Sequence, residues 1–166
     1  MKYLFITLIL FGLFSCKENS NSLIYEDEVN FKSIRQVTFG GDNAEAYWSN
    51  DDKQLIFQSN NNNWNLECDQ MFLMNSSDTF DETVPKMVST GLGRTTCSYF
   101  LPDNKHFIYA STHEKDKNCP EVPLRKEGKY VWPIYDSFDI YISDLEGNIK
   151  GKLTNQKGYD ARGNSC

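Results

Sequence analysis

The chain has 166 residues, enough for one domain built on one hydrophobic core. At 14% aromatic and 24% charged residues, its composition excludes an intrinsically disordered protein. Its net charge of −6 comes from acidic and basic residues that are interspersed, so no basic face offers itself to nucleic acid.

The first sixteen residues differ in kind from the rest. Lys2 gives a positive start, and residues 3–14 form a 12-residue apolar run broken only by Thr7 and Gly12. A bilayer span takes roughly 20 helical residues, so this run is too short to cross and suits the apolar region of a secretory signal. It ends Leu13-Phe14-Ser15-Cys16, which resembles the bacterial lipobox: Leu three before the cysteine, a small residue just before it. Phe14 is bulkier than the usual occupant of its position. The resemblance implies cleavage before Cys16, diacylation of that residue, and attachment to a membrane through the lipid. Residues 1–15 are therefore expected to be a lipoprotein signal peptide and 16–30 a polar tether, opening with Lys17-Glu18-Asn19-Ser20-Asn21-Ser22. The expected location is the cell envelope, at the outer membrane or cell surface, with the periplasmic or external face left open. Export would place Cys68, Cys97, Cys119 and Cys166 where disulfides are permitted, and four thiols allow three full pairings between which sequence does not choose.

From residue 31 onward the chain repeats. Thr38-Phe-Gly-Gly-Asp-Asn-Ala-Glu-Ala-Tyr-Trp-Ser-Asn-Asp-Asp-Lys53 aligns with Thr90-Gly-Leu-Gly-Arg-Thr-Thr-Cys-Ser-Tyr-Phe-Leu-Pro-Asp-Asn-Lys105 at a constant offset of 52. The match continues as Leu55-Ile-Phe-Gln-Ser59 against Phe107-Ile-Tyr-Ala-Ser111. A second module, Met71-Phe-Leu-Met-Asn75, recurs as Ile140-Tyr-Ile-Ser-Asp144 at an offset of 69. The runs are β-branched and aromatic, and turn chemistry separates them. Asn50-Asp51-Asp52 and Pro102-Asp103-Asn104 are each predicted to close a hairpin, and Glu146-Gly147-Asn148 to join the third and fourth strands of the second unit. No amphipathic helix follows the leader. Four antiparallel strands per unit at a period of about 50 residues predict an all-β protein made of propeller blades. Two blades are expected, plus the start of a third at Leu153-Thr154 that loses its pattern after Ala161. Because a ring takes about four to eight blades, the incomplete set reads as a truncated product, or as chains that assemble into one ring.

The alternation of Val37-Thr38, Ser-Asn-Asp-Asp-Lys, Leu-Ile-Phe-Gln-Ser and Gln-Met-Phe-Leu-Met-Asn resembles the TolB-like, WD-repeat-like propeller repeat, over roughly residues 34–161. In that repeat Leu-Thr precedes aromatic-Ser-Pro-Asp-Gly-Lys, then an apolar strand and Ile-Tyr-x-Met-Asp. Here Asn-Asp-Asp and Pro-Asp-Asn stand in place of Pro-Asp-Gly, and the second unit carries a long insertion. The resemblance implies contact with other proteins at the envelope.

Blade geometry puts the loops between units and the loops after each second strand on one face. That face collects Asp42, Asn43 and Glu45, residues 60–69, Arg94 through Cys97, and the insertion at 112–136, which contains His113. Tyr130, Trp132 and Tyr135 in the insertion either present a stacking surface or pack the loop onto its own unit. Cys68, Cys97 and Cys119 fall on the same face, as disulfide partners or as buried thiols. Arg94 and Glu45 are the charged residues expected at the axial mouth.

No catalytic motif is complete. His113-Glu114 has Lys117 where a zincin needs its second His, Gly91-Leu-Gly-Arg-Thr-Thr lacks the glycine and lysine of a phosphate loop, and there is no Gly-x-Ser-x-Gly elbow. No metal or cofactor is implied. The expectation is a lipid-anchored, non-catalytic scaffold that binds a protein or another envelope ligand. Two alternatives stand beside it: the propeller portion of a serine peptidase with its hydrolase domain missing, and a glycan-binding propeller.

Overall fold

A computed structural model describes residues 23–78, 83–122, 127–129, 131 and 133–162. The leader, Cys16, Tyr130, Trp132 and Cys166 lie outside the described residues. The chain divides into two compact units, residues 1–36 and 37–166. The described part of the first unit is a string of turns, in which the Glu28 carboxylate accepts the backbone N–H of Tyr25 at 2.8 Å.

The second unit is all-β. Its strands are β1 (Asp42–Trp48), β2 (Gln54–Asn60), β3 (Gln70–Asn75), β4 (Lys86–Met87), β5 (Thr95–Phe100), β6 (His106–Ser111), β7 (Asp139–Asp144) and β8 (Ile149–Lys152). They form two four-stranded sheets, β1-β2-β3-β4 and β5-β6-β7-β8, with every neighbouring pair antiparallel. A single 3-10 turn, Asn62–Trp64, is the helical exception among the described residues, capped by the Asn61 side chain. The fourth strand of the first sheet is only two residues long. Pro85 stands directly before it, and a proline has no N–H to give to a ladder.

The sequence repeat is also a backbone repeat. Asp52 and Asn104 both close their hairpins with left-handed backbone, φ 56° and 53°. In the first turn the Asp51 carboxylate accepts from the Ser49 hydroxyl and the Lys53 N–H. In the second, Asp103 accepts the N–H groups of Lys105 and His106. Each turn is closed by the acceptor side chain of one Asp, and the residue after it, Asp52 or Asn104, is of a type that tolerates left-handed backbone. The first strand of each sheet bulges at equivalent points, between Ala44 and Tyr47 and between Thr96 and Tyr99. The residue in the bulge is Glu45 in one sheet and Cys97 in the other, each at φ 50°. At the far edge, a hydroxyl after the fourth strand accepts a third-strand N–H in both sheets: Ser89 from Met71, Thr154 from Ile140, each at 2.9 Å.

Strand alternation places the core between the sheets. Ile56, Met71, Leu73 and Val88 of the first meet Phe100, Phe107, Tyr109 and Tyr141 of the second. All are nearly or wholly buried. The opposite face of the first sheet, Leu55, Phe57, Phe72 and Met74, packs under Val37, Trp64 and Leu66, with the Trp64 ring edge-on to Phe72 at 4.9 Å. At the turn end the Asn50 side chain donates to the Leu101 carbonyl at 3.0 Å, and its N–H donates to Asn104 at 2.7 Å. The hairpin turns of the two sheets are thereby tied together.

Candidate functional site

Register brings the long loops to one end of both sheets. Asp42 pairs with Asn60 and Ser59 with Gln70, while Thr95 pairs with Ser111 and Ser111 with Asp139. Every connection leaving those residues is therefore on the same end of its sheet, and the short Asx turns are on the other.

Two glycines shape the approach to β1 and β5. Gly41 and Gly93, again 52 apart, have φ of 67° and 59°. A Cβ on Gly93 would lie 2.4 Å from the Thr112 hydroxyl and 2.6 Å from the Asp116 carbonyl. The chain must be bare there for the 112–117 turn to press against β5. That turn is held by Gly93 N–H donating to the Lys117 carbonyl at 2.8 Å and Thr112 N–H to the Arg94 carbonyl at 3.0 Å.

Between the first strands of the two sheets lies a cleft of 480 Å³. Asp42, Glu45, Gln58, Asn60, Arg94 and Cys97 line it, and Val122, Pro133, Tyr135, Phe138 and Tyr159 supply an apolar side. Arg94 is its best-anchored group. One terminal nitrogen pairs with the Asp69 carboxylate at 3.3 Å, the other donates to the Cys119 sulfur at 3.6 Å, and the backbone N–H donates to the Thr112 hydroxyl. Its Nε is buried with no hydrogen-bond partner among the described residues. Gln58 Oε1 and Asn60 Oδ1 are buried orphans as well. Each unsatisfied group costs about 1–3 kcal/mol relative to a paired one, so the cleft carries unmet hydrogen-bonding capacity. Glu45 accepts the Tyr47 hydroxyl at 2.7 Å, and that bond is the main cause of raising the Tyr47 hydroxyl above its ordinary value. Burial raises the Cys97 thiol too, which keeps it protonated at neutral pH and a poor nucleophile.

The walls are fastened by covalent and polar ties. Cys68 and Cys119 form a disulfide that joins the β2–β3 loop to the 112–136 insertion, and Cys97 is a free thiol. Gln70, fully buried, donates to the Gly93 carbonyl at 2.9 Å and accepts from the Ser89 hydroxyl and the Gly91 N–H. Thr95 donates its N–H and hydroxyl to the Asp69 carbonyl, both at 3.0 Å.

Of the residues expected on the ligand face, Asp42, Glu45, Arg94 and Tyr135 line this cleft, and so does Cys97. Asn43 does not. Its register pairs it with Ser59, so its side chain lies on the opposite face of β1, accepting from the Ser59 hydroxyl and donating to the Gly40 carbonyl. His113 also lies elsewhere, its ring 4.4 Å from that of Tyr141 and its Nδ1 2.9 Å from the Ser111 hydroxyl. Burial lowers its pKa and holds it neutral. Beside it the buried Asp139 pairs with Lys115 at 2.9 Å and Lys152 at 3.0 Å, and Lys152 also pairs with Glu114, which accepts the Tyr141 hydroxyl. Tyr135 packs towards Phe138, with ring centroids 6.2 Å apart, and its hydroxyl donates to the Glu121 carbonyl. It thus anchors the insertion and lines the cleft at once. Gln58, Phe138 and Tyr159 were not singled out from the sequence. A polar Gln58 two residues after the buried Ile56, on the same face of β2, was the available signal.

Among the described residues, no three His, Cys, Asp or Glu side chains gather into a metal-binding group, and no helix is long and apolar enough to cross a membrane. The chain matches no protein-family model, no curated protein and no solved structure.

Proposed function

We propose that the chain is a lipid-anchored envelope protein whose two sheets are blades of a TolB-like propeller, and that it works as a non-catalytic scaffold binding another protein through its loop-bearing end. The observation that carries the reading is the cleft between β1 and β5, which joins Arg94, Glu45, Asp42 and unpartnered amide oxygens at the end where the long loops meet. Loops fastened to a rigid sheet are the usual place for recognition residues. The cleft's chemistry fits binding: its one thiol is protonated, and its arginine is held by Asp69 and a sulfur rather than facing a nucleophile.

The blade reading is supported by the 52-residue repeat of turns, bulges and glycines and by the packing of one four-stranded sheet on the next. The anchoring reading rests on the lipobox-like Leu13-Phe14-Ser15-Cys16. Radiolabelled palmitate should enter the wild-type chain and not a Cys16→Ser variant; equal labelling would remove the anchor. For the scaffold reading, a photocrosslinking amino acid at position 44 or 96, which line the cleft without carrying its charge, should trap a discrete protein adduct in cells. The same probe at Lys53, on the opposite end, should not. Equal adducts from both ends, or none from either, would reject the binding face.

A further inference from the structure

We infer that the chain associates head to tail with further copies of itself, the free face of its second sheet stacking on the free face of the first sheet of the next copy. This goes beyond the reading above and does not depend on what the cleft binds.

The contact inside one chain is the template. The first sheet offers Ile56, Met71, Leu73 and Val88, and the second covers them with Phe100, Phe107, Tyr109 and Tyr141. Because the sheets are repeats, each also carries the counterpart of the face that the other uses. On the second sheet Ile108, Ile140 and Ile142 stand where Ile56, Met71 and Leu73 stand on the first. Leu153 is the counterpart of Val88: the Val88 N–H donates to the Met71 carbonyl, and the Leu153 N–H to that of Ile140. On the first sheet Leu55, Phe57 and Phe72 match Phe107, Tyr109 and Tyr141, and Trp48 matches Phe100. Both free faces keep the apolar character of the pair already in contact.

Burial shows which of these positions still lack cover. Val88 is 0% exposed and its counterpart Leu153 55%; Phe100 is 1% exposed and its counterpart Trp48 54%. Met71 and Leu73 are buried, whereas Ile140 and Ile142 are only half-buried. Each counterpart differs from its twin in lacking a sheet stacked on it. Part of each free face is closed by its own chain: Val37, Trp64 and Leu66 pack on the first, and Tyr159 and Ala161 pack with Ala110 on the second. Trp48 and Leu153 lie outside both patches, and a stacked copy would take them out of water together. A second copy presents the matching face by construction, at the strand spacing and register that the internal contact uses. The two faces differ, so the contact is heterologous, and a dimer keeps one face of each kind free for a further copy.

The test is sedimentation equilibrium of the full chain in a density-matched detergent, with the variants Trp48→Glu and Leu153→Glu, both at exposed positions. The wild type should be heavier than a monomer, with a mass that rises with concentration. Each variant should be monomeric, with the circular dichroism of the wild type; where a substitution alters the dichroism, Trp48→Gln or Leu153→Gln takes its place. Mixed in equal amounts, the two variants should form a dimer and nothing larger, because each supplies the face that the other has lost. A wild type that stays monomeric at every concentration overturns the inference. So does a variant that associates as the wild type does, or a mixture that remains monomeric. A photocrosslinking amino acid at position 48 should trap a second copy, at residues 140–153, and an adduct with a different protein overturns the second copy as the occupant. The cleft probes at positions 44 and 96 report on a foreign protein instead, so either reading can fall while the other stands.

Discussion

Removing the Cys68–Cys119 disulfide perturbs both the cleft and the stability of the fold. The bridge joins residues separated by 51 positions, and it ties a loop of the first sheet to the insertion of the second. In the chain-entropy treatment a closed loop of about that length restricts the unfolded ensemble by roughly 4 kcal/mol at 25 °C, within a general range of about 2–5. Cys68 is 2% exposed, so a polar replacement would add the cost of a buried hydroxyl, and the appropriate variant is Cys68→Ala with Cys119→Ala. Urea unfolding followed by tryptophan fluorescence should show the double variant about 4 kcal/mol less stable than the oxidised chain. Reducing agent should bring the wild type to nearly the same midpoint and leave the variant unmoved. Alkylation in denaturant followed by mass mapping should find Cys97 modified without prior reduction and Cys68 and Cys119 only after it. A difference below about 1 kcal/mol between oxidised and reduced chains would refute the reasoning. It would mean that residual structure in the unfolded ensemble already holds the two loops near each other.

Three further outcomes follow from the packing and the charges. Trp48 and Phe100 occupy equivalent positions, yet Trp48 is 54% exposed and Phe100 1%. Phe100→Ala should cost about 3–5 kcal/mol and Trp48→Ala under about 1 in urea unfolding, and equal losses would contradict the packing order of the sheets. The Tyr109 hydroxyl is buried with no partner among the described residues, and burial pushes its pKa up to about 12. Tyr109→Phe should therefore leave stability unchanged or raise it by about 1 kcal/mol; a comparable loss would reveal a partner for the hydroxyl. Burial alone would raise the Asp139 carboxyl, but Lys115 and Lys152 hold it below its usual range, and the His106 contact and backbone N–H groups hold Asp103 at about 2. Depressed carboxylates stabilise the fold above their unfolded values, and that contribution is lost as pH falls through about 4 towards about 2. The urea midpoint should drop across that window, and a flat profile down to pH 2 would refute the assignment.

Much of the fold was legible because the repeat fixes both turns and register. Once Leu55-Ile-Phe-Gln-Ser59 is set over Phe107-Ile-Tyr-Ala-Ser111, period-two alternation assigns alternate residues to one face or the other, and the hairpin turns fix which strand pairs with which. The bulges were not legible, since Glu45 and Cys97 share no chemistry and neither is glycine. Only the backbone shows that both adopt φ 50° at the same point of their strands. His113 illustrates a second limit: its place in the insertion put it on the loop-bearing end, but the ring of Tyr141 and the Ser111 hydroxyl give it a packing site away from the cleft. The disulfide is a third case, because the distance between thiols depends on how the insertion returns over the first sheet, which no spacing rule reports.

The contrast between what repeats and what does not also points at the cleft. At the offset of 52, Gly41 matches Gly93, Tyr47 matches Tyr99, Asp51 matches Asp103 and Ser59 matches Ser111. These residues turn, cap or brace, and each sheet needs the same service from them. The cleft positions break the repeat: Asp42 falls opposite Arg94, Glu45 opposite Cys97, Gln58 opposite Ala110 and Asn60 opposite Thr112. Most of the turning and bracing positions keep similar chemistry in both copies, although Ser49, which caps the first hairpin turn, falls opposite Leu101. The cleft is a single place built where two sheets meet, and the residues reaching it from each side meet different demands. An acid on one side and a base on the other, at formally equivalent sites, make an asymmetric pocket out of a repeated frame.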